Sequence, residues 1–389
     1  MTPRVSIPDS EYRERIGRAA ELAGRRGLDV LLVNSNEADF SNVRYFSGFW
    51  PLFETAGVAI APSGRAALIV GPESGAYGAD VSRIDAVFML AEYRESADPA
   101  YPEMKPSTFA DVFRAIGVNA SRIRVGIGGY LVTTLPQIEG LRAVYPEAEV
   151  VRADDLMVEM RSVKSPAEIA CLEEGFRITE IALERVIAAI RPGVTELQMV
   201  GVAQQAIYEN GAEYEGLPMY VFSERSTRHA ISRSTHRRIG AGDIVQLNLS
   251  ARVDGYSPSI GIPISMGPLK GEKRDVVEFG LEAHRWTQAR LKAGVVASRI
   301  AEEYLALFKA RGHGSHYLYG PCHGLGMIEV EPPWMETTSA YPLKENMVFQ
   351  VDTFVSTPAF GIRWETGVAV TAAGCRLLSR PLGTIHEVG

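Results

Sequence analysis

The change in hydrophobic periodicity near residue 155 is the feature that most constrains the fold. Before it, short apolar runs typical of strands alternate with stretches of helical spacing, which is the pattern of an α/β domain. The runs cover residues 28–33, 57–61, 66–70, 86–90, 123–127 and 148–151, and the helical stretches include 11–27, 107–116 and 135–145. The sequence therefore predicts an N-terminal α/β domain over residues 1–155.

The rest of the chain begins with long helices and becomes rich in strands. A helical region over 153–190 is interrupted at Ser165-Pro166, where proline can occupy the first turn of a new helix. Another helix is predicted to run from Thr195 to about Asn210. The strand-like segments are 243–249, 261–265, 347–354 and 367–371, and they surround a helical block at 273–310. We expect an α+β domain over residues 156–389.

Composition excludes several classes of protein. The 389 residues include 40 Lys plus Arg against 47 Asp plus Glu, a formal charge of 40 − 47 = −7, which argues against a nucleic-acid partner. The chain has three cysteines, and they are widely separated in the sequence, so a disulfide framework is not expected. Neither the charged N-terminus nor any later stretch has the apolar length of a leader or a membrane span. We expect a soluble, cytoplasmic protein without a membrane partner.

Unusual polar residues concentrate in three segments of the second half. In chain order these are GDIVQLNLSARVDGYSPSIGIPISMG, YGPCHGLGMIEVEPPW and MVFQVDTFVSTPAFGIRWETGVAVTAAGC. With RSVKSPAEIACLEEGFRITEIAL upstream, they resemble the family that contains aminopeptidase P, prolidase, methionine aminopeptidase and creatinase. The resemblance covers essentially the whole chain. It implies a pita-bread fold in the C-terminal domain and a smaller N-terminal α/β domain like those of prolidase and creatinase.

The resemblance also implies where metal ligands would lie. Metallopeptidases of this family hold two divalent ions with Asp, Asp, His, Glu and Glu, and the matching positions here are Asn248, Ser259, His323, Asp352 and Glu365. A dinuclear site relies on carboxylates to offset the charge of two ions, whereas Asn and Ser offer neutral oxygens. We therefore expect no catalytic metal pair and no cofactor. The open alternative is a single weak ion at His323, Asp352 and Glu365.

In its loss of metal ligands the chain resembles creatinase, the family member that works without metal and also has Asn at the position of Asn248. The substrate is nevertheless expected to differ from creatine. The glutamate that contributes to guanidinium recognition in creatinase corresponds to Gly261, and the arginine for the substrate carboxylate corresponds to Trp334. The family's second histidine corresponds to Val330, which argues against classical Xaa-Pro cleavage.

A hydrolase of a C–N bond that works without metal must move protons with side chains alone. We expect His229 and His323 to carry protons, with Asp352 and Glu365 orienting them or binding a cationic amidine, guanidine or ammonium group. The expected substrate-binding residues are Asn248, Tyr256, Ser259, Glu331, Arg363, Phe49, Trp50 and Phe53. An equally good interpretation of Arg363 is that it is a structural partner of Glu365 and does not bind substrate.

The sequence thus predicts a metal-independent hydrolase of a small N-substituted amino acid, amidine or amide. Two alternatives stay open: an Xaa-Pro-type metallopeptidase with atypical ligands, and a non-catalytic protein that keeps the pocket. The resemblance further implies a homodimer in which the N-terminal domain of one subunit closes the partner's site. The apolar loop from Phe49 to Glu54 is the candidate lid.

Overall fold

The computed structural model describes residues 4–388, which fold as two compact units. One unit is Ile7–Arg161, and the other comprises the described residues of 1–6 together with 162–388. The two-domain architecture expected from the sequence is confirmed. The division lies near the end of the helix Asp154–Ser162, whereas the boundary predicted from the change in periodicity, near residue 155, lies at the start of that helix.

The N-terminal unit is a six-stranded sheet with helices around it. Its strands are β1 (Val30–Ser35), β2 (Ala56–Ile60), β3 (Ala66–Val70), β4 (Val87–Met89), β5 (Arg124–Gly128) and β6 (Glu149–Arg152). Its helices are α1 (Asp9–Arg25), α2 (Ser41–Ser47), α3 (Gly75–Val81), α4 (Phe109–Ala115), α5 (Leu135–Val144) and α6 (Asp154–Ser162). Short 3-10 turns lie at Pro72–Ser74 and Ala91–Tyr93.

The sheet of this unit is mixed, in the order β4-β3-β2-β1-β5-β6. Strands β1, β2 and β3 form an antiparallel meander, while β4, β5 and β6 join it through parallel pairs. Each of the six strands expected from the sequence forms. Its apolar side chains, such as Leu32, Ile69 and Val125, make one core with Phe109 and Phe113 of α4.

The C-terminal unit contains four long helices and nine strands among its described residues. Its helices are α7 (Pro166–Ala189), α8 (Glu196–Glu209), α9 (Gly271–Gln288) and α10 (Ala297–Ala310). Its strands are β7 (Tyr220–Ser223), β8 (Ile244–Ser250), β9 (Ser259–Ser265), β10 (Cys322–Gly324), β11 (Glu331–Met335), β12 (Val348–Ser356), β13 (Gly361–Val370), β14 (Cys375–Leu377) and β15 (His386–Glu387). Short 3-10 turns lie at Glu224–Arg228 and Gly314–His316.

These strands form one sheet in the order β11-β10-β12-β13-β9-β8-β7, with β14 added to β13 and β15 to β9. Its spine is the antiparallel pair β12 and β13, in register from Val348↔Ala369 to Ser356↔Gly361. Every residue of β8, β9 and β13 is buried. Polar side chains on these strands must therefore find partners inside the protein.

The sequence predicts the starts of two helices correctly, whereas two other element boundaries differ from the prediction. Ser165 and Thr195 each open a helix with a capping box, as the sequence predicts. The predicted block 273–310 is two helices, interrupted around Gly294, whose φ of 88° does not fit a helix. The predicted strand 367–371 overlaps only the last part of β13, which begins at Gly361. The first part of β13 was not predicted because strands were recognised by runs of apolar residues, and this part contains polar residues. Across the described chain, no helix combines the length and apolarity of a membrane span.

Candidate active site

Five neighbouring strands bring the metal-ligand positions of the family pattern together in the C-terminal sheet. These strands carry Asn248 (β8), Ser259 (β9), His323 (β10), Asp352 (β12) and Glu365 (β13). In the ladder Glu365 is opposite both Asp352 and Gly261, and Gly261 is also opposite Asn248. A Cβ atom on Gly261 would lie 2.7 Å from Asn248 Nδ2 and 2.8 Å from Glu365 Cβ. Only glycine lets Asn248 and Glu365 approach each other over this strand.

His323, Glu329 and Glu365 form a buried group that we call the acid–histidine cluster. His323 Nε2 lies 3.7 Å from Glu365 Oε1 and 3.9 Å from Glu329 Oε1. His323 Nδ1 is 3.0 Å from the carbonyl oxygen of Gly324, to which it donates in the tautomer this contact requires. That bond leaves Nε2 directed at the two carboxylates.

Neutral side chains support the two glutamates of the cluster. Asn248 Nδ2 donates a hydrogen bond to Glu365 Oε2, and Gln246 Nε2 donates to Asn248 Oδ1 at 3.0 Å. Ser259 Oγ donates to Glu329 Oε1 at 3.0 Å. The two residues that stand where the family pattern has aspartates therefore donate hydrogen bonds to carboxylates instead of supplying negative charge.

Asp352, Arg363 and Tyr319 form a second buried group, the arginine triad. Arg363 Nε lies 2.9 Å from Asp352 Oδ1, and Tyr319 OH donates to Asp352 Oδ2 at 2.7 Å. Arg363 Nη2 also donates to Tyr319 OH at 2.7 Å. The ionic partner of Arg363 is thus Asp352, which lies diagonally across the pair β12 and β13 from it. The alternative ion pair between Arg363 and Glu365 is not formed.

Burial and neighbouring charges shift the pKa values of the three residues of the acid–histidine cluster in different directions. Burial acts to lower the pKa of His323, but its close approach to Glu365 and the charges of Glu329, Asp352 and Glu365 raise that pKa to about 9. Burial, followed by the charge of Glu365, raises the pKa of Glu329 well above its ordinary value. Burial acts in the same direction on Glu365, but His323 and Arg363 bring its pKa below the ordinary value. The cluster therefore combines an imidazolium, a carboxylate and a carboxyl that tends to hold its proton.

A pair of divalent ions does not fit this donor set. The amide of Asn248 is committed to Glu365 and Gln246, Ser259 is neutral, and Asp352 is engaged by Arg363 and Tyr319. One ion is compatible with the geometry, because ligand atoms of His323, Glu329 and Glu365 all lie within 4.8 Å of one another. This group differs from the predicted single-ion set, since Glu329 takes the place of Asp352.

Other expected site residues have partners or positions away from the cluster. His229 is exposed, with Nδ1 3.4 Å from Ser232 Oγ. Tyr256 is buried and donates to Glu168 Oε1 at 2.7 Å, so it anchors α7. Glu331 accepts from Lys164 Nζ at 2.8 Å in an ion pair that is buried on both sides. The hydrogen-bonding capacity of Tyr256 and Glu331 is thus used in packing within the domain.

The apolar loop residues expected to close a site belong to the N-terminal unit. Phe49 is buried against Tyr77, with ring centroids 5.1 Å apart, and Trp50 packs against Phe40 at 5.5 Å. Phe53 is 75% exposed and has a φ of 59°. Phe49 and Trp50 therefore support the loop, while Phe53 presents an apolar ring at the surface.

Sequence reasoning missed Glu329 and Gln350. Glu329 precedes Val330 in the turn between β10 and β11, and its carboxylate enters the cluster while Val330 is exposed. Gln350 lies opposite His323 in the ladder and donates to the carbonyl oxygen and the hydroxyl of Ser259 at 2.6 and 2.9 Å. An available signal was the acid next to the missing second histidine, in the segment that follows the HGLG turn.

Comparison with family models identifies the class of protein that this fold and site define. The model described as metallopeptidase family M24 matches residues 170–372, and the model of the creatinase/prolidase N-terminal domain matches residues 15–163. The chain belongs to metallopeptidase family M24. The expected family resemblance and the expected class of enzyme, a hydrolase acting on C–N bonds, are confirmed by this membership.

Particular relatives are distant but cover nearly the full chain. An uncharacterized peptidase of Bacillus subtilis, YqhT, is 25% identical over 371 residues, covering 94% of this chain and 97% of that protein. An Xaa-Pro dipeptidase of Pyrococcus furiosus is 24% identical, with 95% and 98% covered. The crystal structure of an X-Pro aminopeptidase from Thermotoga maritima superimposes with a TM-score of 0.82 at 22% identity, over 96% of this chain and 99% of that one. This structural likeness establishes the pita-bread fold.

Proposed function

We propose that this chain hydrolyses the C–N bond of a small amide, amidine or peptide-like substrate, and that the acid–histidine cluster performs the proton transfers. The observation that carries the proposal is the position of His323 Nε2, 3.7 Å from Glu365 and 3.9 Å from Glu329. A histidine beside two carboxylates of different proton affinity supplies both an acid and a base.

The proton path follows from the same contacts. Glu365, held as a carboxylate by Asn248 and His323, takes a proton from water as the water oxygen bonds to the substrate carbon. The C–N bond then breaks, its electron pair stays on nitrogen, and the His323 imidazolium gives that nitrogen a proton. Transfer of the proton from Glu365 back to His323 resets the cluster, so one water is consumed for each bond broken.

A second candidate is an Xaa-Pro-type peptidase with one divalent ion. It is favoured by the approach of three ligand atoms within 4.8 Å and by relatives named Xaa-Pro dipeptidase. His323, Glu329 and Glu365 would hold the ion, which would polarise a carbonyl group and acidify a water molecule. In that case Ser259 and Asn248 keep their roles as donors to the two glutamates.

One experiment separates the two candidates. Purified protein is assayed against simple amides, amidines and Xaa-Pro dipeptides, in parallel with excess chelator and with added manganese or cobalt. Turnover of at least one amide or amidine that persists in chelator supports the proposed function. Turnover confined to Xaa-Pro dipeptides and abolished by chelator supports the second candidate and contradicts the first.

The proposal includes a cytoplasmic homodimer in which the loop from Phe49 to Glu54 closes the partner's site. It is supported by the exposed side chains of Leu52 and Phe53 at the tip of this loop. The carboxylate of Glu54 accepts hydrogen bonds from the backbone amides of Glu73 and Ser74, which fixes the base of the loop. A monomer in sedimentation at micromolar concentration contradicts this arrangement.

A further inference from the structure

Two further histidines lie in the connection between α10 and β10, outside the acid–histidine cluster. His313 precedes the 3-10 turn Gly314–His316, and His316 is the last residue of that turn. Their Nδ1 atoms lie 3.1 Å apart, and both residues are half-buried. Without an ion, one Nδ1 carries a proton and donates it in a hydrogen bond to the other. We call these two residues the histidine pair.

The distance between the two nitrogens is that of two ligands on one metal ion. Imidazole nitrogens bind Zn²⁺ at about 2.0–2.1 Å, which places two of them about 2.9–3.4 Å apart when the angle at the ion is about 90–110°. The 3.1 Å between the two Nδ1 atoms falls within this interval. If the donating ring carries its proton on Nε2 instead, both Nδ1 atoms offer lone pairs to an ion and both rings stay neutral.

Packing and backbone hydrogen bonds hold the histidine pair in this arrangement. The ring of His313 stacks on that of Phe279 from α9, with centroids 4.1 Å apart and an angle of 17° between the planes. The backbone amide of His313 donates to the carbonyl oxygen of Phe308 at 2.8 Å, and that of His316 donates to the carbonyl oxygen of His313 at 2.9 Å. Ligands that are already ordered lose little conformational entropy when they bind an ion.

The charges around the histidine pair also favour a cation. Burial, followed by the charge of His316, lowers the pKa of His313, so this ring is neutral and able to act as a ligand near pH 7. The charge of Asp275 on α9 acts on that pKa in the opposite direction, which places a negative charge near the ring. Within residues 4–388, no third His, Cys, Asp or Glu brings a ligand atom within 4.8 Å of both nitrogens, which leaves the other coordination positions to water.

We propose that the histidine pair binds one divalent ion of the later first-row transition metals, Zn²⁺, Ni²⁺ or Cu²⁺, through its two Nδ1 atoms. Imidazole nitrogen suits these ions, whereas Mn²⁺ prefers oxygen ligands and should bind the pair most weakly. The pair shares no residue with the acid–histidine cluster, so this inference goes beyond the proposed function.

An ion at the histidine pair fastens the connection between α10 and β10. The same connection contains Tyr319, whose hydroxyl donates to Asp352 Oδ2 at 2.7 Å in the arginine triad. An ion that binds the folded chain and not the unfolded chain raises the stability of the protein. The role of this ion is therefore structural, and it takes no part in the proton transfers of the proposed reaction.

The test separates the histidine pair from the acid–histidine cluster by means of His323→Gln, which removes one ligand atom of the cluster. Zn²⁺ is titrated calorimetrically into this variant and into two double variants, His323→Gln with His316→Gln and His323→Gln with His236→Gln. Loss of His316 should weaken Zn²⁺ binding by about tenfold or more, whereas loss of the exposed His236 should leave it unchanged. Absence of Zn²⁺ binding by His323→Gln, or equal affinity in the two double variants, overturns the inference.

A second measurement uses the wild-type protein. Ni²⁺ added below stoichiometry should broaden the imidazole NMR resonances of His313 and His316, because the ion is paramagnetic, and should leave those of His236 sharp. Zn²⁺ should also raise the midpoint of thermal unfolding of the wild type more than that of His316→Gln. Sharp resonances of His313 and His316, or equal shifts of the two midpoints, contradict the histidine pair as a structural metal site.

Discussion

Two buried histidines of the C-terminal domain have opposite pKa shifts. His323 faces Glu329 and Glu365, and its pKa is raised to about 9. His284 of α9 lies 3.0 Å from the side-chain nitrogen of Gln288, and burial lowers its pKa to about 4. Burial acts to lower the pKa of both residues, so the carboxyl groups around His323 make the difference. The charged histidine is the one equipped for proton transfer.

The largest difference between the two histidines is expected in their contributions to turnover. His323→Gln should lower kcat by about 10²-fold or more, since it removes a positioned acid. His284→Gln should leave kcat nearly unchanged, because His284 is not among the residues of the acid–histidine cluster. Both variants are assayed on the substrate found in the amide and amidine screen, with folding checked by circular dichroism. Equal losses in the two variants would show that His323 has no special role.

The opposite pKa shifts predict opposite pH dependences of stability. His323 binds its proton more tightly in the folded state, so its contribution is complete below about pH 6.5 and is lost as the pH rises through about 9. His284 remains neutral when folded, so its contribution is complete above about pH 6.5 and is lost as the pH falls toward 4. Each shift corresponds to about 3 kcal/mol.

Denaturant unfolding of chelator-treated protein measures these contributions between pH 4 and pH 9. The His323→Gln variant should lose the alkaline part of the pH dependence, and His284→Gln should lose the acidic part. His236→Gln, a change at an exposed position, serves as the control and should alter neither part. If the two variants exchange these effects, the assignment of the two histidines is wrong.

A smaller effect is expected when one carboxyl group is removed from the surroundings of His323. Glu329→Gln should lower the pKa of His323 toward its ordinary value in the pH range where Glu329 is ionised in the wild type, because Glu329 acts on His323 through its charge, and it should leave the pKa of His284 in place. NMR titration of the imidazole resonances measures both values in one sample. An unchanged pKa of His323 in this variant would mean that Glu365 and Asp352 alone account for the shift.

The sequence predicts the site residues best where they lie within recognisable motifs on strands. His323, Asp352 and Glu365 lie within HGLG, FQVD and RWETG, and strand pairing brings these motifs together in the order that the family resemblance implies. The two-domain fold was equally readable, since periodicity alone separates an alternating domain from a domain of long helices and sheet.

Other parts of the site depend on contacts that spacing does not encode. Tyr256 and Glu331 pair with Glu168 and Lys164, which lie 88 and 167 positions away in the chain. Glu329 occupies a turn, where the direction of a side chain depends on how β10 and β11 meet and not on a repeating pattern. Long-range pairing and turn geometry therefore decided which acids reach the cluster.

The donor set of this site does not accommodate a pair of divalent ions, and titration with a divalent metal measures this property of the protein. Calorimetric titration with manganese compares the wild-type protein with the triple variant Asn248→Asp, Ser259→Asp, Asp352→Glu, which restores every carboxylate of the family pattern. The triple variant should bind two ions per subunit and the wild type at most one, with lower affinity. Two ions bound by the wild type as tightly as by the triple variant would contradict the account.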